Sequence, residues 1–175
     1  IVGAGVIGLE MGSIYSRLGT DVTVVEFYDK VLNGMDHDIS KNFKSILQKQ
    51  GFKFHLNSSV SMITKEKKGV KVIFEQVGSH DQNELSADVV LVATGRKPFT
   101  KNLKLENIGV TLNPKGQIET DSNWRIAETN VFAIGDVTSG PMLAHKAEEE
   151  GIAVAEIIAG QAGHVNFQVI PSVVY

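Results

Sequence analysis

The chain has 175 residues, 17 Lys plus Arg against 20 Asp plus Glu, and a formal net charge of −3. Apolar types make up 42% and charged types 21%, which is the balance of a folded globular chain and excludes the disordered and fibrous classes. The near-neutral charge argues against a phosphate-coating nucleic-acid binder, and no apolar run approaches the roughly 18 residues of a membrane span.

Zero cysteines exclude disulfides, Cys-ligated zinc and thiol catalysis within this stretch. The sequence opens at Ile1 with no Met, inside what reads as a strand. It stops at Val173-Val174-Tyr175, inside another apolar run, so it is expected to be an internal piece of a longer chain. Ile1-Val2 is a strand stub, followed by Gly3-Ala4-Gly5-Val6-Ile7-Gly8. Leu9 to Leu18 predicts a helix closed by Gly19. Asp21 to Phe27, β-branched and apolar, predicts a short buried strand. Asp38 to Gln50 carries Ile39, Phe43, Ile46 and Leu47 at helical spacing, with Asp36 or Asp38 at its start and Gly51 after its end. The β-α-β-α order of the first fifty residues implies a parallel sheet.

From Phe52 to Gln76 the pattern becomes short and alternating. Val70, Val72 and Phe74 face one way, and Lys65 to Gly69 forms a charged turn, which predicts an antiparallel flap. Ser79 to Glu84 reads as a polar loop. Asp88 to Ala93 reads as a fully apolar buried strand closed by Thr94-Gly95. Arg96 to Pro114 is irregular. Gln117 to Thr120 and Val131 to Ile134 read as strands, and Leu143 to Gly160 as the last helix. The domain boundary is expected near Gly95. The fold class is therefore α/β: a doubly wound Rossmann-type domain with an antiparallel flap, followed by a mixed central segment.

Gly3-x-Gly5-x-x-Gly8 lies between a strand and a helix, with a second strand next. In that setting the first glycine permits the tight turn, the second lets the backbone approach a pyrophosphate, and the third lets helix and strand pack. The helix start offers free N–H groups and a positive dipole end. The bland reading is a plain glycine-rich turn. Glu26 ends the second strand 18 residues after Gly8, where an acid accepts hydrogen bonds from the adenosine ribose and repels a 2′-phosphate. NAD is favoured over NADP; the bland alternative is a solvated carboxylate. Glu10 either serves the helix dipole or lies beside the nicotinamide. Gly95 lets backbone pass close to a nucleotide. Asp136 directly follows an apolar strand, the place where open α/β folds put ligands. Glu148 to Glu150 reads as a solvated acidic face, and His145 as structural. No metal-ligand spacing and no Ser-His-Asp set is present.

Taken together, GAGVIGLEMGSIYSRLGTDVTVVEF, VLVATGRKPFT and AIGDVTSGPMLAHKAEEEG resemble the pyridine nucleotide-disulfide reductases over essentially all 175 residues. Within them the likeness is to the eukaryotic, mitochondrial branch that re-oxidises dihydrolipoyl groups. GPMLAHKAEEEG is the most discriminating stretch. The resemblance implies a piece of a flavoenzyme that passes electrons from a dithiol through a disulfide and FAD to NAD+. It implies a mitochondrial matrix location, lipoyl-bearing components of 2-oxo acid dehydrogenase complexes as partners, and a homodimer. It implies an NAD-binding domain over 1–95, a central domain contributing to the FAD site over 96–169, and the start of an interface domain at 170–175.

By the same resemblance, Gly3, Ala4, Gly5, Val6, Ile7, Gly8, Leu9 and Glu10 meet the NAD pyrophosphate and nicotinamide. Glu26 holds the adenosine ribose, Val60 lies against the adenine, and Gly95 sits beside the cofactor. Asp136 bonds the FAD ribityl chain, and Met142, Leu143, Ala144 and His145 line the flavin edge. The redox cysteine pair, the glycine motif for FAD and the His-Glu acid-base pair of these enzymes have no counterpart in this chain, so no residue here is expected to be catalytic and lipoyl turnover by this chain alone is not expected. The rival readings are another FAD- and NAD(H)-using reductase of the superfamily, and a stand-alone NAD-binding module.

Overall fold

The computed structural model describes residues 1–79, 81–127 and 129–175. The chain divides into two units, 1–95 with 172–175, and 96–171.

In the first unit, α1 (Val6–Arg17) follows the glycine loop directly, three residues earlier than the apolar spacing predicts. Leu18 caps it and Gly19 takes the left-handed turn at φ +90°. β1 (Thr23–Val25) pairs in parallel with β2 (Lys53–His55). The connection between them carries α2 (His37–Lys49), capped by Asp36, whose side chain accepts from the N–H groups of Asp38 and Ile39. Removing that cap with Asp36→Ala should destabilise the unit by about 1 kcal/mol, read from a urea midpoint at unchanged slope.

Val2 extends the parallel layer by bridging both Val25 and Val92. The ladder is made by Gly3 N–H to Val25 C=O (2.9 Å), Val2 N–H to Leu91 C=O (2.8 Å) and Ala93 N–H to Val2 C=O (2.8 Å). The layer order is thus β2, β1, Val2, Val92, the arrangement of a Rossmann-type sheet. Ala4, Leu9, Val22, Val24, Val31, Leu32, Leu47 and Phe52 form its core. α2 gives that core Leu47 fully and Phe43 in part, while Ile39 and Ile46 stay half exposed.

Three antiparallel strands make the flap: β3 (Ser58–Lys65), β4 (Val70–Gln76) and β5 (Gln82–Ala87). Val72 and Phe74 are its buried face.

Five expectations need correction. The predicted loop at Ser79 to Glu84 overlaps β5, because the open edge of β4 supplies backbone partners to a segment whose polar side chains give no apolar alternation; His80, within that loop, lies outside the described residues. Asp88 to Ala93 is not a buried strand. Val92 alone bridges, and Val89 is 79% exposed, because the ladder available to it is the single residue Val2. Gln117 to Thr120 and Val131 to Ile134 each shrink to one bridge, Leu112 with Ile118 and Arg125 with Phe132, where tight turns cut the pairing short. The acidic run from Glu148 is only partly solvated: Glu150 is 1% exposed.

The second unit packs α3 (Ala144–Ile158) over the 3-10 turn Gly135–Val137. Trp124, Ala153, Val154 and Val165 form one cluster, and Ile118, Ile126 and Ala133 another.

Candidate functional site

The glycine loop of the first unit is held from inside the protein. Gly3 has φ +100°, and a Cβ there would sit 2.5 Å from the Ala93 carbonyl oxygen, so glycine is required twice over. At Gly8 an added Cβ would press on the Gly3 carbonyl oxygen and meet the Ala93 side chain, which enforces the close helix–strand packing. Gly5 differs. Its φ of −76° suits any residue, and nothing lies within 4 Å of an added Cβ. Neither conformation nor packing explains glycine at this exposed position.

Gly5 caps α1 with no side-chain bond, and the first intrahelical bond runs from Leu9 N–H to Gly5 C=O (3.1 Å). The N–H groups of Val6, Ile7 and Gly8 therefore belong to the unpaired first turn, where the helix dipole is positive. Ile7 is half exposed beside them. Leu9 is wholly in the core, so only its backbone belongs to the loop.

Glu26 stands at the end of β1, 8% exposed. Its backbone is fixed on both sides, N–H to His55 C=O and C=O from Ser58 N–H, each 2.8 Å. One carboxylate oxygen accepts the Ala4 N–H at 2.5 Å, and the other accepts the Tyr28 N–H at 2.9 Å. The structure thus brings Glu26 and the glycine loop together, as the sequence spacing predicts. An ionised carboxylate offers about four acceptor positions, so two remain for a ligand hydroxyl pair. Ala4 C=O accepts from Leu32 N–H (2.9 Å), which pins the loop from its other side.

Glu10 lies one turn into α1, and its Oε1 accepts the Tyr175 N–H at 3.0 Å. Val60 is half-buried in β3 at an irregularity in the β3–β4 register. Gly95 is exposed with φ +113° and open space around it.

In the second unit Asp136 sits in the Gly135–Val137 turn, and its side chain is 42% exposed. Arg96, which the sequence reading left without a role, pairs with Asp136 Oδ2 at 3.1 Å and donates to the Met142 carbonyl. α3 begins at Ala144 with Leu143 as an uncapped start, so the free N–H groups lie at Ala144, His145 and Lys146, slightly later than expected. His145 Nε2 is 3.0 Å from the Pro171 carbonyl oxygen and donates to it. A cavity of about 450 Å³ lined by Trp124, Phe167, Thr138 and Glu150 includes none of Asp136 and Met142 to His145. Among the described residues no cluster of three or more His, Asp or Glu could hold a metal, and no helix is long and apolar enough to cross a membrane.

Sequence reasoning missed the pair beneath this turn. Lys146 and Glu150 are each 1% exposed, with Nζ 2.9 Å from Oε1. Their four-residue spacing on a helix, in line with buried Ala153 and Val154, was the available signal.

The chain is similar to dihydrolipoyl dehydrogenase, mitochondrial, of Rattus norvegicus, at 51% identity over all of this chain and 35% of the relative. The Homo sapiens protein of the same name is 50% identical over the same shares. LpdA from Mycobacterium tuberculosis superposes with a TM-score of 0.90 at 27% identity, covering 99% of this chain and 37% of that one. The HOCl-induced flavoprotein disulfide reductase RclA from Escherichia coli gives 0.81 at 31% identity, over 93% and 36%. The chain thus spans about a third of the length of the relatives it matches. The family model for pyridine nucleotide-disulphide oxidoreductase matches residues 1–151, and it takes in the glycine loop, Glu26 and the Asp136 turn alike. By that match, and by the fold that carries these features, the chain belongs to the pyridine nucleotide-disulphide oxidoreductase family.

Proposed function

We propose that this chain is the NAD-binding part, with a portion of the FAD-contacting part, of a mitochondrial enzyme that re-oxidises dihydrolipoyl groups of 2-oxo acid dehydrogenase complexes. About half of its residues are identical to mitochondrial dihydrolipoyl dehydrogenases along its whole length. Residues 1–95 serve as the NAD-binding domain and 96–169 as a central domain. Residues 170–175 open an interface domain through which the parent forms a homodimer. The observation that carries the NAD assignment is Gly5: open, unstrained, and at an uncapped helix start beside a fixed carboxylate.

In this reading the diphosphate lies against Gly5 and takes the free N–H groups of Val6, Ile7 and Gly8. Glu26 keeps its two backbone donors and accepts from the adenosine ribose with its remaining lone pairs. Glu10 and Gly95 flank the cofactor and Val60 faces the adenine. Asp136 accepts from the ribityl chain of FAD, and the uncapped start of α3, with Met142 to His145, presents its N–H groups to the flavin edge. When bound, FAD supplies the two-electron step between the dithiol and NAD+. This chain holds no cysteine, so its share of the chemistry is holding and orienting cofactors.

The test is the NAD to NADP preference. Calorimetry on the chain should show NAD bound more tightly than NADP by about ten-fold or more, the scale of one charged hydrogen bond. Glu26→Arg should reverse the ratio. It also removes the acceptor for Ala4 N–H and Tyr28 N–H, so both affinities fall and the ratio is the readout. A ratio unchanged by the substitution rejects the role of Glu26.

A further inference from the structure

We propose that Lys146 and Glu150 are positioning residues for Asp136, a buried ion pair that fixes the Gly135-Asp136 turn and so sets where the carboxylate meets the flavin's sugar chain. The proposal rests on the reading of Asp136 as a flavin contact.

The Gly135 N–H donates to Glu150 Oε2 at 2.7 Å, and no regular ladder serves that N–H. Glu150 is held in turn by Lys146, with Nζ 2.9 Å from Oε1 and 3.0 Å from Oε2. Lys146 Nζ also donates to the Gly135 carbonyl at 3.2 Å, which the Thr138 hydroxyl reaches at 2.9 Å. Both backbone groups of Gly135 are thereby clamped from below by α3, at a residue with φ +73° where the chain reverses. Gly140 lets the returning chain lie over the lysine, since a Cβ there would stand 2.9 Å from Lys146 Cε.

Stability alone does not account for such a pair. Apolar residues of similar volume often serve a core as well or better than a buried ion pair. What apolar residues lack is an acceptor for the Gly135 N–H. The pair provides one and cancels its charge, and Asp136 is the next residue along. Arg96 meets the Asp136 side chain from the open side, so backbone and carboxylate are fixed separately.

Two double variants separate positioning from packing. Lys146→Met with Glu150→Leu removes the clamp and leaves no buried charge. Lys146→Met with Glu150→Gln restores an acceptor for Gly135 N–H. In this chain, amide exchange at Gly135 should speed by about ten-fold or more in the Met/Leu variant beyond any change at Ala153 and Val154, and return in the Met/Gln variant. In the complete flavoprotein carrying this sequence, flavin dissociation should follow the same order, with Asp136→Ala as the reference. Unchanged Gly135 exchange in the Met/Leu variant overturns the proposal. So does flavin loss in Asp136→Ala without any in Met/Leu. An Asp136→Ala protein that keeps its flavin rejects the underlying reading instead, while the exchange data still report on the clamp.

Discussion

Gly8→Ala should lower the melting temperature of the chain by about 2–12 °C, whereas Gly5→Asp should leave it unchanged or raise it slightly while abolishing most NAD affinity. The two glycines sit three residues apart in one loop, yet the physics at each is opposite. At Gly8 the added methyl is driven into the backbone oxygen of Gly3 and against Ala93. Backbone cannot rotate away as a side-chain tip can. Overpacking of this kind costs about 1–3 kcal/mol or more, which is a drop of several degrees in a chain of this size. At Gly5 nothing lies in the way, and the residue is the N-cap of α1. Asp is a better cap than Gly by a few tenths of a kcal/mol and suits the helix dipole. It also places a negative charge where the proposed function puts the diphosphate. Stability and affinity should therefore move in opposite directions, a result that a merely structural loop cannot produce. Differential scanning calorimetry and NAD titration on the same samples measure both.

Lys146→Met alone should be more destabilising than Lys146→Met combined with Glu150→Leu. The single change leaves Glu150, 1% exposed, with its charge unpaired, at a cost of about 3–5 kcal/mol. The double change removes both charges and replaces the stems with apolar volume. It loses the acceptor for one backbone N–H, a penalty of about 1–3 kcal/mol. Urea denaturation of the three proteins orders them. A single variant as stable as the double would mean that Glu150 finds solvent or another partner when Lys146 is gone.

The parts legible in the sequence are those where one signal governs one element. Gly19 and Gly51 take positive φ values past α1 and α2, and Asp36 caps α2. The glycine triad and Glu26 meet because α1 returns the chain so that β1 pairs in parallel beside Val2, which brings the two strand ends together. The illegible parts have competing signals. β5 carries only Leu85 and Ala87 as apolar residues, both at its end, and the free edge of β4 makes the polar remainder a strand. Val131 to Ile134 is apolar enough for a strand, yet its pairing is limited to Arg125 with Phe132. Glu150 hides in an acidic run whose first two members are exposed; its burial follows from Lys146 one turn earlier, a pairing that composition alone does not reveal. Arg96 shows the same limit, because its partner Asp136 is forty residues away in sequence.

The central claim is that Glu26 and the bare Gly5 backbone jointly receive the sugar and diphosphate of NAD. A crystal structure of the chain with NAD decides it. The account predicts a Glu26 carboxylate oxygen at hydrogen-bonding distance, about 2.6–3.2 Å, from an adenosine ribose hydroxyl, with the diphosphate over Gly5. NAD bound with its ribose turned away from Glu26, or lodged elsewhere on the unit, contradicts it.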